Sequence, residues 1–349
     1  MKMTFYRLEL PLADPFTISR SSMTTQRSLI VELEHDGQRG WGEVTENEFY
    51  GHTFESMIRS LEQITPLLDD YLNSDAAEVW PRMMEATDGD TFAVSALDIA
   101  AHDLQGKRRG LPTWQAWGLS WDAVPDSSFT IGIDRPEKMV AKLEAHPGWP
   151  VYKIKLGTPS DLEIVRVLRA KTDATLRVDA NCGWGVQETL DNAEEFSKLN
   201  VEFIEQPLPI DAPDQDKRRV HAESALPLIA DEDCQTVQDV ARCRDFFHGV
   251  NVKLCKCGGL TPAVQMLREA RQLGLKTMVG CMVESSVGIS GAAQLLPLLD
   301  YADLDGAALL RDEPASGVAV RQGKVVLPDG NGTGAFLDPA RLSDYLVVS

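Results

Sequence analysis

Five charged residues recur at near-even spacing through the middle of the chain, each closing a short apolar run. They are Lys155 in VYKIKLG, Asp179 in LRVDAN, Glu205 in VEFIEQP, Asp231 in PLIADED and Lys253 in VNVKLCK. The intervals are 24, 26, 26 and 22 residues. That length accommodates one strand, one helix and two turns, the repeat of a parallel βαβ unit. When such units close into a barrel, the C-terminal strand ends converge on one mouth, where chemistry takes place. The spacing therefore predicts three carboxylates meeting on adjacent strands, with a lysine on either side.

The strand-then-helix rhythm extends in both directions. SSFTIGI reads as a strand before YKIKLG, while LKTMVGCM and ADLDGA follow GVNVKLC. Eight strands result, and the helix of a full eighth unit is missing, which favours a barrel over an open sheet. Ahead of it, MTFYRLELPL, SLIVELEHDG and the turn at HDGQRGWGEV read as strands. TFESMIRSLEQITPLLDDYL has a near-3.6 apolar period, and FAVSALDIAAHDLQGKRRG reads as a buried helix ending at Gly110. These make an α+β domain over residues 1–118, followed by the barrel over 119–318. The tail, 319–349, contains VAVRQGKVVLPDGNGTG, which reads as a hairpin able to return to the N-terminal domain. Loops at the strand ends are too short to make a large lid. Covering the mouth is therefore assigned to the N-terminal domain, including the polar segments 18–27 and 43–52.

Charge and composition exclude whole classes of partner. A formal net charge of −19 disfavours nucleic acid and anionic membrane surfaces. No apolar run is long enough to span a bilayer, and MKMTFYRLELPLADPF lacks the apolar stretch of a signal peptide, so a cytoplasmic location is expected. The six cysteines show no paired zinc-finger spacing. On a strand, Cys255 and Cys257 would share a face and invite a soft metal; buried reduced thiols are the better reading.

The chemistry follows from residue type. One acid past a barrel strand is commonly a helix cap. Asp179, Glu205 and Asp231 on consecutive strands would repel one another unless a cation sits between them, and three hard oxygen ligands suit Mg²⁺. Lys153 and Lys155 share one strand face, so each is expected to suppress the other's protonation, as a general base requires. Lys253 lies four strands further on, across the cluster. A lysine on each side of one carbon is the geometry of a two-base proton transfer. An α-proton next to a carboxylate is so weakly acidic that the metal must stabilise the enediolate charge. Asp303 and Asp305 share a face on the last strand. They would repel a substrate carboxylate unless they hold a cation on the substrate, and an α-ammonium group fits.

These residues resemble the enolase superfamily, muconate-lactonising-enzyme subgroup, over nearly the whole chain. The markers are the Lys-x-Lys at 153 and 155, the DAN, EQP and ADE segments, and NVKLCKCGG with Lys253. (Enolase-type lysine bases with Mg²⁺ are a known pattern.) The resemblance implies a modified (β/α)7β TIM-type barrel with an N-terminal α+β capping domain, the tail joining that cap. It implies Mg²⁺ on Asp179, Glu205 and Asp231, and Lys155 and Lys253 as the acid/base pair. Within the subgroup the chain looks most like the dipeptide epimerases, whose Asp-x-Asp matches Asp303 and Asp305. The expected function is inversion of the C-terminal residue of a dipeptide, L-Ala-D/L-Glu or a relative. In that group an arginine of the first cap loop can meet the substrate's side-chain carboxylate. Arg20 sits near that place, or is a solvated loop residue, and the usual glycine after it is Ser21. Glu284 either lines the pocket or caps the helix that follows. Barrels of this kind often form homo-oligomers, and no sequence feature fixes a number.

The alternatives need different residues. N-acylamino-acid racemases, o-succinylbenzoate synthases and cycloisomerases of the same subgroup have no use for two acids that hold an ammonium. None of the six histidines lies at the seventh strand end, where a mandelate-racemase-type base would be. A Schiff-base aldolase would use Lys155 or Lys253 without metal. A non-catalytic binding barrel would leave all five residues idle.

Overall fold

The computed structural model describes residues 1–347. The N-terminal unit opens with an antiparallel sheet in the order β1 (Lys2–Ile18), β2 (Ser21–His35), β3 (Gln38–Thr45). One apolar face of it packs on helices Phe54–Gln63, Ala76–Ala86 and Thr91–Arg109. The periodic run from Thr53 was expected as one helix, but the helix stops at Gln63. A 3-10 turn over Thr65–Leu67 and a short helix at Asp70–Asn73 follow. Pro66 supplies no N–H and interrupts the ladder. The helix Thr91–Arg109 is capped by the Asp90 carboxylate, which accepts from Ala93 N at 3.0 Å, and ends at Gly110 in the left-handed conformation. Strand β3 lies almost in backbone contact with it, because Gly40 and Gly42 carry no side chain on that face.

The barrel is an eight-stranded parallel sheet in strict chain order: β4 (Phe129–Ile131), β5 (Val151–Lys155), β6 (Thr175–Asp179), β7 (Val201–Glu205), β8 (Leu228–Ala230), β9 (Gly249–Val252), β10 (Lys276–Gly280) and β11 (Tyr301–Asp303). It closes through a parallel bridge between Ser127 and Ala302. A helix follows each of the first seven strands, and only a 3-10 turn, Gly306–Leu309, follows β11, so the fold is the modified (β/α)7β barrel. Alternation along the strands builds the interior in layers. Phe203, Ile229, Met278 and Tyr301 form an apolar plug, with the Arg177 guanidinium stacked on the Phe203 and Tyr301 rings. The inward positions two residues later on β7, β8 and β11 are Glu205, Asp231 and Asp303. A dry plug beneath and charge above is why the chemistry sits at the strand ends.

The hairpin Ala319–Arg321/Lys324–Val326 forms, but it lies against the barrel, where Ser127 N donates to Gly323 O at 2.8 Å. The chain beyond it touches the cap, with Glu9 N donating to Tyr345 O and Val347 N to Arg7 O, both at 2.9 Å. Among the described residues no helix is long and apolar enough to cross a membrane.

Candidate active site

Asp179 and Glu205 are the last residues of β6 and β7, and Asp231 is the first past β8. All three are buried, and one oxygen from each lies within 4.8 Å of the others. Burial and the neighbouring Asp179 carboxylate push Glu205 up to about 8, against the pull of Lys153. Burial also opposes ionisation of Asp179 and Asp231, but lysines outweigh it: Lys155 and Lys153 hold Asp179 low, and Lys253 and Lys256 hold Asp231 low. The strand ends themselves are bent to make this mouth. Asn181, Cys182 and Gln206 all have positive φ, at 45°, 66° and 37°. The Gln206 side-chain oxygen accepts from Asp231 N at 3.0 Å and fixes that residue's start.

A hard divalent cation fits this donor set. The buried oxygens Glu205 Oε2, Asn181 Oδ1 and Asn251 Oδ1 receive no hydrogen bond. Glu205 Oε2 has Lys153 Nζ at 2.8 Å, yet the hydrogen bond from that ammonium goes to Oε1. Oxygen lone pairs left over around three carboxylates are what Mg²⁺ requires.

Lys155 ends β5 and Lys253 directly follows β9, four strands apart in a ring of eight, so they stand on opposite walls. Lys155 Nζ lies 2.6 Å from Asp179 Oδ2, and Lys253 Nζ 2.7 Å from Asp231 Oδ2. Lys153 is spoken for by three acids: Asp303 at 2.8 Å, Glu205 at 2.8 Å and Asp179 at 3.2 Å. Lys153 is therefore held charged by its acids, not suppressed by its neighbour as expected. Burial lowers Lys153 and Lys253, but the facing carboxylates, Asp303 first for Lys153 and Asp231 for Lys253, raise both well above the ordinary value.

Asp303 ends β11 and accepts from Ser128 Oγ at 2.5 Å. Asp305 accepts from Thr130 N at 2.5 Å and Thr130 Oγ1 at 3.2 Å, and burial next to Asp303 pushes it up to about 7. Both acids line a cavity of about 590 Å³ between barrel and cap, together with Lys153, Lys155, Lys253, Asn181 and Arg20. The cap's contribution comes from the tip of the β1–β2 hairpin and the segment 45–50. Glu284 is not among the lining residues. Its carboxylate turns back to accept from Met282 N at 3.0 Å, and Gly288 packs directly against it.

Site residues escaped the sequence reading, Asn251, Lys256 and Thr130 among them. Asn251 Nδ2 donates to Glu205 Oε1 at 2.9 Å. It lies two residues before Lys253, as Lys153 does before Lys155, and that period was the available signal. Lys256 Nζ lies 2.6 Å from Asp231 Oδ1. It sits on a short helix, Leu254–Cys257, where a continued strand was expected. That helix sends Cys255 into the cap core and Cys257 into the barrel core, so the two thiols share no face and no soft-metal site forms. Thr130, which holds Asp305, carried no signal.

A parallel barrel with a buried carboxylate trio at its mouth and an α+β cap across it defines a class of barrel enzyme built around a divalent metal. Known proteins narrow the class. Residues 2–118 match the family described as "Mandelate racemase / muconate lactonizing enzyme, N-terminal domain", and residues 137–341 match "Enolase C-terminal domain-like". The chain belongs to this mandelate racemase/muconate lactonizing enzyme family of the enolase superfamily. It is 48% identical over 337 residues to an L-Ala-D/L-amino acid epimerase of Flavobacterium johnsoniae, covering 97% of this chain and 100% of that protein. The N-succinyl Arg/Lys racemase of Bacillus cereus superposes with a TM-score of 0.89 at 27% identity, over 100% of this chain and 99% of that one. A dipeptide epimerase of Cytophaga hutchinsonii, complexed with Mg and the dipeptide D-Ala-L-Val, superposes with 0.89 at 26% identity, over 98% and 97%. Equal TM-scores and nearly equal identities mean that these two superpositions do not separate the two reactions.

Proposed function

We propose that this protein is a Mg²⁺-dependent dipeptide epimerase that inverts the α-carbon of the C-terminal residue by two-lysine proton transfer. The observation that carries the reading is the pair Lys155 and Lys253, on opposite walls of one mouth, flanking the carboxylate trio. Asp179, Glu205 and Asp231 would hold Mg²⁺, which would supply positive charge against theirs and against the charge building on the substrate carboxylate. One lysine removes the α-proton and the other returns a proton to the opposite face. Asp303 and Asp305, across the mouth, hold the ammonium of the first residue. Lys153 neutralises the floor of the site between Asp303 and Glu205.

The acidic pair is also what speaks for a dipeptide over an N-acylamino acid, which carries no ammonium for it to hold. The six unpaired cysteines support a reducing, cytoplasmic setting. The test is ¹H NMR in D₂O with L-Ala-L-Xaa dipeptides, with Mg²⁺ and with the metal chelated. Loss of the second residue's α-proton signal only when Mg²⁺ is present is the expected result. Exchange confined to N-acylamino acids would replace this reading with the racemase one.

A further inference from the structure

We propose that the subsite for the side chain of the epimerised residue is apolar, taking methionine- or phenylalanine-like side chains in preference to glutamate. The inference rests on the dipeptide reading above. With the two lysines above and below the α-carbon, its other three substituents lie in the plane between them. The carboxylate points to the trio on the β6–β8 side and the amide nitrogen to Asp303 and Asp305. The remaining direction is out of the barrel, so the side chain meets the cap.

Ile18, Met23, Phe49 and Met282 line that part of the cavity. The cap also contributes two cations, and both are already matched. Arg27 lies 2.5 Å from Glu46 and stacks on the Phe54 ring at 4.5 Å. Arg20 lies 2.9 Å from Glu232, donates to Asn181 O at 3.4 Å and stacks on the Phe49 ring at 4.2 Å. The Glu232 side chain is only 1% exposed, and its Oε2 has no hydrogen-bond partner. Turning Arg20 toward a substrate carboxylate would strip a buried anion of its counter-ion. Glu48, exposed at the rim, has no ion pair among the described residues, so the uncompensated charge at the cap is negative. Among the described residues an acidic side chain would find no free cation there. Arg20 instead acts as a clasp, fixing the hairpin tip to the loop after β8.

The experiment measures kcat/KM by α-proton exchange for L-Ala-L-Met, L-Ala-L-Phe, L-Ala-L-Glu and L-Ala-L-Lys, using the Mg²⁺-loaded full chain. Met and Phe should exceed Glu and Lys by at least about tenfold, the worth of one methylene-scale discrimination or more. Arg20→Gln should lower all four together and leave their ratios unchanged. Glu232→Gln, which frees the guanidinium, should raise the Glu-to-Met ratio several-fold; because this is a ratio within one preparation, partial misfolding does not imitate it. Wild-type preference for Glu that collapses in Arg20→Gln would make Arg20 the carboxylate receptor and overturn the proposal. Preference for Lys overturns it too. If none of the dipeptides exchanges but N-acylamino acids do, the dipeptide reading fails. The side-chain preference is then decided separately, by the ratio between N-acetylmethionine and N-acetylglutamate.

Discussion

In the proposed scheme Lys155 and Lys253, on opposite walls of the mouth, would each reach only one face of a carbon between them, which would separate a two-base site from a single-base one. Replacing either by alanine should cut inversion by about 10²–10⁴-fold. Each variant should still exchange the α-proton of one stereoisomer with solvent deuterium, Lys155→Ala and Lys253→Ala serving opposite isomers. Inversion at the wild-type rate in either variant would refute the scheme. Asn251 works at one remove. Its amide holds Glu205 Oε1, and there is no room for it to swing, since even a Cβ on Gly280 would lie 2.8 Å from its side chain. Groups that orient metal ligands are commonly worth 10–100-fold in metal affinity. Calorimetric titration of Mg²⁺ into Asn251→Ala should show a loss of about that size, and an unchanged affinity would reduce Asn251 to a packing role.

At the level of elements, β5 to β9 were legible because each is a short apolar run that stops at one charged residue. The layers explain it: the plug must be apolar and the mouth must be polar, so the sequence changes character where the strand ends. The same logic failed just past β9. Lys253 follows that strand as a helix cap, and the chain turns at once into Leu254–Cys257, closed by Gly258 and Gly259 at φ 97° and 116°. A four-residue helix is too short to show a period. The lid misled in the other direction. The polar stretch near Arg20 reads as loop, yet Phe16 pairs with Met23, Thr17 with Ser22 and Ile18 with Ser21 in a long hairpin. A ribbon hanging over a cavity has little apolar face to bury, so alternation fades while strand pairing persists. What the sequence did not reveal at all was how closely β3 meets the helix Thr91–Arg109. A Cβ on Gly42 would fall 1.9 Å from the Ala96 carbonyl oxygen, which is backbone and has nowhere to go. Gly42→Ala should therefore destabilise the protein by about 3 kcal/mol, the upper end of overpacking costs. Denaturant unfolding monitored by circular dichroism checks this, and a loss under about 0.5 kcal/mol would mean that the sheet can lift off the helix freely.

Across the whole molecule, the cap and barrel are joined by acids gathered at one helix start. Glu43, from β3 of the cap, accepts from Ser285 N, Ser285 Oγ and Gly288 N at 2.9, 2.5 and 2.9 Å, at the N-terminus of helix Ser286–Ala293. Glu313, from after the last barrel strand, accepts from Ser286 N and Oγ, both at 2.6 Å. Glu284 completes the cluster. The helix dipole and its free N–H groups favour this arrangement, but three carboxylates cannot all ionise there cheaply. Burial, then Glu43, pushes Glu284 up to about 8; burial pushes Glu313 up to about 7 against its bonds to Ser286. A carboxyl raised in the folded state binds a proton that the unfolded chain has already released. Its contribution is full below the ordinary glutamate range and is lost as pH climbs through the raised value. Each pH unit in that interval removes up to about 1.4 kcal/mol per group. Asp179 and Asp231 are lowered instead, so their window lies below the ordinary carboxylate range and does not overlap. Glu205 and Asp305, raised to about 8 and about 7, add to the fall between about pH 5 and pH 8, and the lowered His102, His146 and His248 oppose it, so the prediction rests on the difference that one substitution makes. Glu284→Gln, which mimics the protonated carboxyl, should flatten that slope measurably. Denaturant titrations of both proteins at pH 5, 6, 7 and 8 settle the matter. Parallel slopes would mean that Glu284 is ionised in this cluster, and that its charge is balanced by the helix terminus alone.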